Sequence, residues 1–211
     1  MFSGIVEDVG TVVSIVSRGS GAVLRVSTGL PLDEIRVGDS LSVSGVCLSV
    51  TEKGKGTFSA DLSAETLSRT TFRKRAAGER VNLERSLLLS GRLDGHLVYG
   101  HVDGTGTVRE VRNAGESRVF HIRTDPSIMK YVVYKGAVAV DGVSLTTSSV
   151  HPEGFEVALI PISLERTTFG GLRPGEAVNV ETDIIGKYVR KILEDRESGI
   201  SLDFLKKHGF A

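Results

Sequence analysis

Tryptophan is missing from this 211-residue chain, cysteine occurs once and proline only five times. A single cysteine, Cys47, cannot close an internal disulfide, so the fold must rest on a packed core; that suits a reducing compartment, and a cytoplasmic location is expected. Neither charge sign dominates, with 26 basic against 26 acidic residues, so no global field favours nucleic acid or an anionic membrane. No uncharged run approaches the roughly 18 residues of a membrane span. The opening Met1-Phe2-Ser3-Gly4 has no basic n-region and no long apolar run, so no signal peptide is expected. What is plentiful is glycine, 25 residues in all, which points to short strands joined by tight turns rather than to long helices. The length permits one large domain or two small ones.

The second arrangement is written into an internal repeat. Gly45-Val46-Cys47-Leu48-Ser49 returns 97 positions later as Gly142-Val143-Ser144-Leu145-Thr146. At the same offset Arg69-Thr70-Thr71-Phe72 equals Arg166-Thr167-Thr168-Phe169, and Val81-Asn82 equals Val178-Asn179. The start of each half matches at an offset of 96, Gly4, Val6 and Gly10-Thr11-Val12 against Gly100, Val102 and Gly106-Thr107-Val108. Two copies are too few for a solenoid, so the chain reads as a tandem duplication, 1–97 and 98–186, with a tail at 187–211. Inside each copy the hydrophobic period is two, as in Ser40-Leu41-Ser42-Val43-Ser44 and Ala137-Val138-Ala139-Val140-Asp141. Other strands are expected at 9–17, 22–27, 57–62 and 80–83, and at 105–111, 119–123, 154–159 and 177–180. Short, evenly spaced strands broken by glycine predict an all-β sandwich or small closed barrel. A short helix is expected at 126–133, capped by Asp125, with single turns at 64–69 and 162–166. In the tail, Ile184, Ile185, Tyr188, Val189, Ile192 and Leu193 recur at helical spacing, a stripe that either packs on its own barrel or joins subunits. A second short helix is expected over 202–207.

Few residues stand out as chemical. Cys47 is either a small wall residue or a functional thiol; its counterpart Ser144, also small with a transferable proton, favours function. His96 and His101 flank Leu97-Val98-Tyr99-Gly100 at the junction of the halves. No third ligand shares their spacing, so no metal site is expected. A histidine of ordinary pKa suits general acid–base work near neutral pH. His121, His151 and His208 read as incidental. Gly100 to Gly106 is glycine-rich, but it is not a dinucleotide fingerprint and no phosphate-loop lysine is present. Lys135 and Asp183 would not be picked out by spacing alone.

Taken together, Met1-Phe2-Ser3-Gly4-Ile5-Val6-Glu7, the Gly45-Val46-Cys47-Leu48 block, Gly95-His96-Leu97-Val98-Tyr99-Gly100-His101-Val102, Asp141-Gly142-Val143-Ser144-Leu145-Thr146 and Leu159-Ile160-Pro161 before Leu164-Glu165-Arg166-Thr167-Thr168 resemble riboflavin synthases of the alpha-chain type. The resemblance runs in order from Met1 to about Leu193. It implies two tandem six-stranded Greek-key β-barrels and a C-terminal α-helix that gathers three chains into a homotrimer. It also implies a dismutation of two 6,7-dimethyl-8-ribityllumazine molecules to riboflavin and 5-amino-6-ribitylaminouracil, with no cofactor. One lumazine is held per barrel, and the reacting pair meets between the first barrel of one subunit and the second of another. Association with lumazine synthase is a further partner known for the family.

Carried over residue by residue, the resemblance places Cys47, Ser144, Thr146, Ser40, His96 and His101 near the reacting rings, with Asp183 as a family acid. Phe2, Gly4, Ile5 and Val6 form a segment that closes on a ligand. Backbone around Cys47, Leu48, Ser49, Asp61, Leu62, Ser63, Ala64, Glu65, Thr66, Gly100, His101, Val102, Lys135, Ser144, Leu145, Thr146, Ile160, Pro161, Ile162, Ser163, Leu164 and Glu165 would line the two pockets. Ser49 stands where a threonine is usual, Ser44 where asparagine is common, and Ile162-Ser163 replaces a glutamate–threonine pair. A non-catalytic lumazine or flavin antenna, a reductase's flavin-binding barrel and a structural tandem barrel are the rival readings.

Overall fold

In the computed structural model, residues 1–197 and 206–209 are described. Twelve strands form two closed antiparallel barrels of six. The first contains β1 (Asp8–Arg18), β2 (Gly21–Ser27), β3 (Ser40–Val43), β4 (Val46–Gly54), β5 (Thr57–Leu62) and β6 (Arg80–Arg85). The second contains β7 (Gly104–Ala114), β8 (Ser117–Thr124), β9 (Ala137–Val140), β10 (Val143–His151), β11 (Gly154–Leu159) and β12 (Ala177–Thr182). The strand orders, β1-β2-β5-β4-β3-β6 and its repeat image, are the same circuit, and closure gives every strand two neighbours. Short helices α1 (Ala64–Arg69) and α3 (Pro161–Arg166) follow β5 and β11, α2 (Pro126–Met129) follows β8, and α4 (Ile184–Glu197) leaves the second barrel.

Alternation decides which side chains enter each barrel. Leu41, Val43, Val46, Leu48 and Val50 point inward to join Leu24, Phe58, Phe72 and Leu83 in one core. Phe120, Phe155 and Phe169 anchor the other, with Phe120 edge-on to Phe169 at 5.1 Å between ring centroids. Cys47, Ser49 and Ser40 therefore lie on the outer face of the wall, Ser40 opposite Ser49 across the β3–β4 ladder. The two-residue turns of these hairpins, Ser44-Gly45 and Asp141-Gly142, carry positive φ at both positions, the geometry that suits a tight antiparallel connection.

The twin turns also join the barrels. A Cβ on Gly45 would sit 2.7 Å from the Gly142 nitrogen, and one on Gly142 equally close to the nitrogen of Gly45, so the backbones touch where neither residue has a side chain. Around this contact the repeated asparagines are exchanged. The Asn82 side-chain amide donates to the Asp141 carbonyl at 2.9 Å, while that of Asn179 donates to the Ser44 carbonyl at 2.8 Å. Their carbonyl oxygens accept from Thr168 N and Thr71 N, both at 2.8 Å. Both amides are buried, where an unmade hydrogen bond would cost about 1–3 kcal/mol.

Most elements fall where periodicity puts them, with β6 and β12 extending two residues further, to Arg85 and Thr182. The helix after Asp125 is shorter than expected and stops at Met129. The tail helix begins at Ile184, capped by the Asp183 carboxylate accepting from Ile185 N at 3.0 Å. Of the expected helix over 202–207, residues 202–205 lie outside the described part. Among the described residues, no helix is long and apolar enough to cross a membrane.

Candidate active site

The β4–β5 ladder begins only at Val50↔Ala60, and the β10–β11 ladder only at Thr147↔Val157. The stretches Val46–Ser49 and Val143–Thr146 thus lie beyond these ladders, which leaves an unpaired gap, a cleft, in each barrel wall. Into each cleft the chain feeds a strap from the other half's leading segment. Cys47 N donates to the Gly100 carbonyl at 2.9 Å, and Ser144 N donates to the Gly4 carbonyl at 2.8 Å. Val102 packs on the core of the first barrel and Val6 on that of the second. The straps also pair with each other through an antiparallel bridge between Phe2 and Val98. Phe2, Val98 and Ala139 form a small apolar cluster against which Cys47 rests.

The approach is close enough to demand glycine. A Cβ on Gly100 (φ +76°) would lie 2.5 Å from that of Cys47, and a Cβ on Gly4 (φ +78°) would lie 2.6 Å from that of Ser144.

At the first cleft, Val46, Cys47, Glu65, Thr66, Arg69, Thr70 and Gly100 to Asp103 enclose a hollow of about 470 Å³. Ser63 caps α1 by accepting from Thr66 N at 3.0 Å, which fixes the start of this helix. His101 is exposed at the rim, its ring 5.9 Å from that of Tyr99. Leu48 and Leu62 are core residues, so they reach the cleft only through backbone, and Asp61 is engaged by Arg18 at 2.7 Å. Ser40 lines a different, larger hollow of about 710 Å³ together with Ser3, Ile5 and Glu84.

At the second cleft the Ser144 hydroxyl lies 2.7 Å from His96 Nδ1. The strap positions this histidine, because His96 N donates to the Ser3 carbonyl at 3.1 Å. Burial lowers the imidazole pKa from its ordinary 6.5, and the charge of Asp183 works in the opposite direction. The lowered pKa favours the neutral ring near pH 7, and among the described residues its buried Nε2 has no hydrogen-bond partner. An imidazole satisfied on one nitrogen and orphaned on the other is ready for a ligand. Thr146 is exposed two residues along the same outer face, and Ile160, Ile162 and Ile5 are exposed apolar side chains. Leu145 is buried, Leu164 packs partly on the core, and Pro161 opens α3. Lys135 N donates to the Thr147 carbonyl at 2.9 Å from a left-handed conformation, φ 62°, where the first copy has Gly38.

His96 and His101 thus separate, one to each cleft. Among the described residues no group of three or more His, Cys, Asp or Glu side chains is disposed to hold a metal.

Two residues with no role assigned from the sequence prove central to this geometry. Glu84 Oε1 accepts from Ser3 N and Ser3 Oγ, both at 2.7 Å, and its Oε2 accepts from Gly4 N at 3.0 Å. Glu181 repeats this on the other strap, accepting from Tyr99 N at 2.8 Å and Gly100 N at 2.9 Å. Burial pushes both carboxyl pKa values up, and the strap hydrogen bonds partly offset it. Their sequence signal is an acid kept at one offset in both copies, two residues after the repeated Val-Asn pair.

Comparison with known proteins now bears on this architecture. The lumazine binding domain family matches twice, at residues 3–86 and 99–183. Riboflavin synthase of Actinobacillus pleuropneumoniae is 40% identical over 215 residues, all of both chains. That of Bacillus subtilis is 36% identical over the full length of both, and that of Mycobacterium tuberculosis is 41% identical over 92% of this chain and 98% of the relative. The chain belongs to the riboflavin synthase family. Solved structures of LumP with 6,7-dimethyl-8-(1'-D-ribityl) lumazine and with riboflavin share the fold of this family member, with TM-scores of 0.77 and 0.78. They cover 86% of this chain and 99% of LumP at 23% and 24% identity.

Proposed function

We propose that this chain is a riboflavin synthase, converting two molecules of 6,7-dimethyl-8-ribityllumazine into riboflavin and 5-amino-6-ribitylaminouracil. A four-carbon unit leaves one lumazine and joins the other. Every atom and electron of the two reactants is found in the two products, and no external oxidant or reductant enters. The observation that carries the reading is the pair of repeat-related clefts, one of them furnished with a neutral imidazole on a hydroxyl. Two like clefts suit two identical reactants, and holding both rings in one orientation converts an encounter into a local event.

In this reading the splayed edges Cys47–Ser49 and Ser144–Thr146 receive the rings, while residues 61–66 and 160–165 receive the ribityl chains. Ser144 and His96 move a proton at the methyl group of one ring, with Thr146 and Asp183 beside them. Cys47, Ser49 and His101 serve the other ring, and Ser40 and Lys135 stand further out. Residues 1–97 and 98–186 act as the two lumazine-holding units and 187–211 as an assembly tail, in the cytoplasm.

The hollow at Cys47 includes no residue of the Ser144 group, which supports pairing the first barrel of one subunit with the second barrel of another. Helix α4 supplies the means of assembly as a homotrimer, since Ile185, Tyr188, Val189, Ile192 and Leu193 are all more than half exposed along its length. A lumazine synthase shell is a further partner of such an assembly.

The LumP structures make a non-catalytic lumazine carrier the second reading, and turnover separates the two. Given lumazine alone, the purified protein is expected to consume two molecules per riboflavin formed. Tight binding without flavin formation would establish the carrier instead.

A further inference from the structure

Each strap is held by one barrel and serves the other. The strap Phe2–Val6 is fastened to β6 of the first barrel through Glu84, yet its Gly4 carbonyl accepts from Ser144 in the second. The strap Val98–Val102 is fastened to β12 of the second barrel through Glu181, yet its Gly100 carbonyl accepts from Cys47 in the first. In both cases one carboxylate grips two successive backbone amides, a charged clamp on the residues that need glycine to approach the opposite wall. All the groups involved are buried or half-buried, where a lost hydrogen bond is costly.

We infer that Glu84 and Glu181 are crossed positioning residues, Glu84 setting the geometry of the Ser144 cleft and Glu181 that of the Cys47 cleft. Neither touches the reacting rings. Each acts through the strap that closes the other barrel's cleft, so the two barrels hold each other's sites in order. The inference rests on the proposed function only in calling the clefts substrate sites; the crossed linkage itself is a matter of structure.

Cys47 is the sole thiol of the chain and lines the cleft that Glu181 is inferred to control, which supplies a reporter needing no substrate. In the full chain, Glu181→Gln should raise the rate of Cys47 alkylation by iodoacetamide about tenfold, since one charged clamp oxygen is lost, whereas Glu84→Gln leaves it within about twofold. In a Cys47→Ser, Ser144→Cys background the order should reverse, with Glu84→Gln accelerating labelling at position 144. Thermal melts accompany each protein. Should a Gln variant melt early, Glu→Asp, which keeps the charge but withdraws it by one methylene, gives the same comparison. Uncrossed acceleration, equal acceleration at both thiols by either variant, or no change in any of them overturns the inference. Because labelling is independent of turnover, a chain that forms no riboflavin could still show the crossed pattern, and the reverse.

Discussion

Both clefts are built on one frame, a positive-φ hairpin turn, a splayed outer strand and a glycine strap crossing from the far side, yet their polar atoms differ. The first has Cys47, Ser49 and an exposed His101. The second has Ser144, Thr146, exposed Ile5 in place of the histidine, and His96, which comes from the junction between the copies. Where the first copy has Gly38 and Ser86, the second has Lys135 in a left-handed conformation and Asp183. The duplication has therefore preserved what shapes the backbone and varied the polar side chains beside it. In the proposed function, two similar pockets would bind two copies of one molecule, while unlike side chains would let those copies do different things.

The shared frame is the most vulnerable part. Gly100→Ala places a methyl 2.5 Å from the Cys47 Cβ at a φ of +76°, and Gly4→Ala does the same to Ser144 at 2.6 Å. Each is expected to lower kcat/KM by about 100-fold or more through displacement of its own cleft, and steady-state kinetics measures it. Next come the unlike atoms. His96→Gln should cost about 100-fold in kcat and abolish the acid limb of the pH profile. In the wild type that limb lies below pH 6.5, because burial lowers the His96 pKa and the ring becomes charged only in more acid solution. Cys47→Ser should cost about tenfold or less, since among the described residues no side chain hydrogen-bonds the thiol and a hydroxyl occupies this position in the other copy.

The smallest effect concerns the twin turns, where Ser44 faces Asp141 across the repeat. Burial, opposed by Arg75 and the Asn179 amide, raises the Asp141 carboxyl to about 6. A carboxyl that binds its proton more tightly folded than unfolded loses stability as pH rises from 3.8, the unfolded value, to about 6. Asp141→Asn should therefore melt a few degrees above wild type at pH 7.5, with the difference shrinking as pH falls below about 6 and vanishing only below 3.8. A lower melting temperature at pH 7.5 would show that the Arg75 pairing, at 3.7 Å, outweighs burial.

The barrels were legible in the sequence because alternation and duplication act over many residues. Leu41 and Val43, and then Val46, Leu48 and Val50, recur at every second position within their own strands, and that alternation assigns their faces. The importance of Gly45 and Gly142 was visible as a repeated frame, but not its cause, which is the contact of one copy with the other. The crossing of the straps left no local trace, since nothing in Met1–Val6 states which barrel those residues reach. The Ser144–His96 pair joins residues 48 apart in the chain and depends on the strap to exist. Apart from their shared offset, nothing in the sequence singles out Glu84 and Glu181, because the amides they bind belong to segments far away in sequence.

The central claim is that a working site joins one chain's first cleft to another chain's second. Chains carrying Gly100→Ala and chains carrying Gly4→Ala, differently tagged and co-expressed, can be purified as mixed oligomers through both tags. The account predicts that each variant alone forms almost no riboflavin, while the mixed oligomer regains about a third of wild-type turnover, since a trimer holding both variants unites two intact clefts in one of its three inter-chain pairings. Mixed oligomers as inactive as the parents would show that the two clefts of a single chain react with each other, and would contradict it.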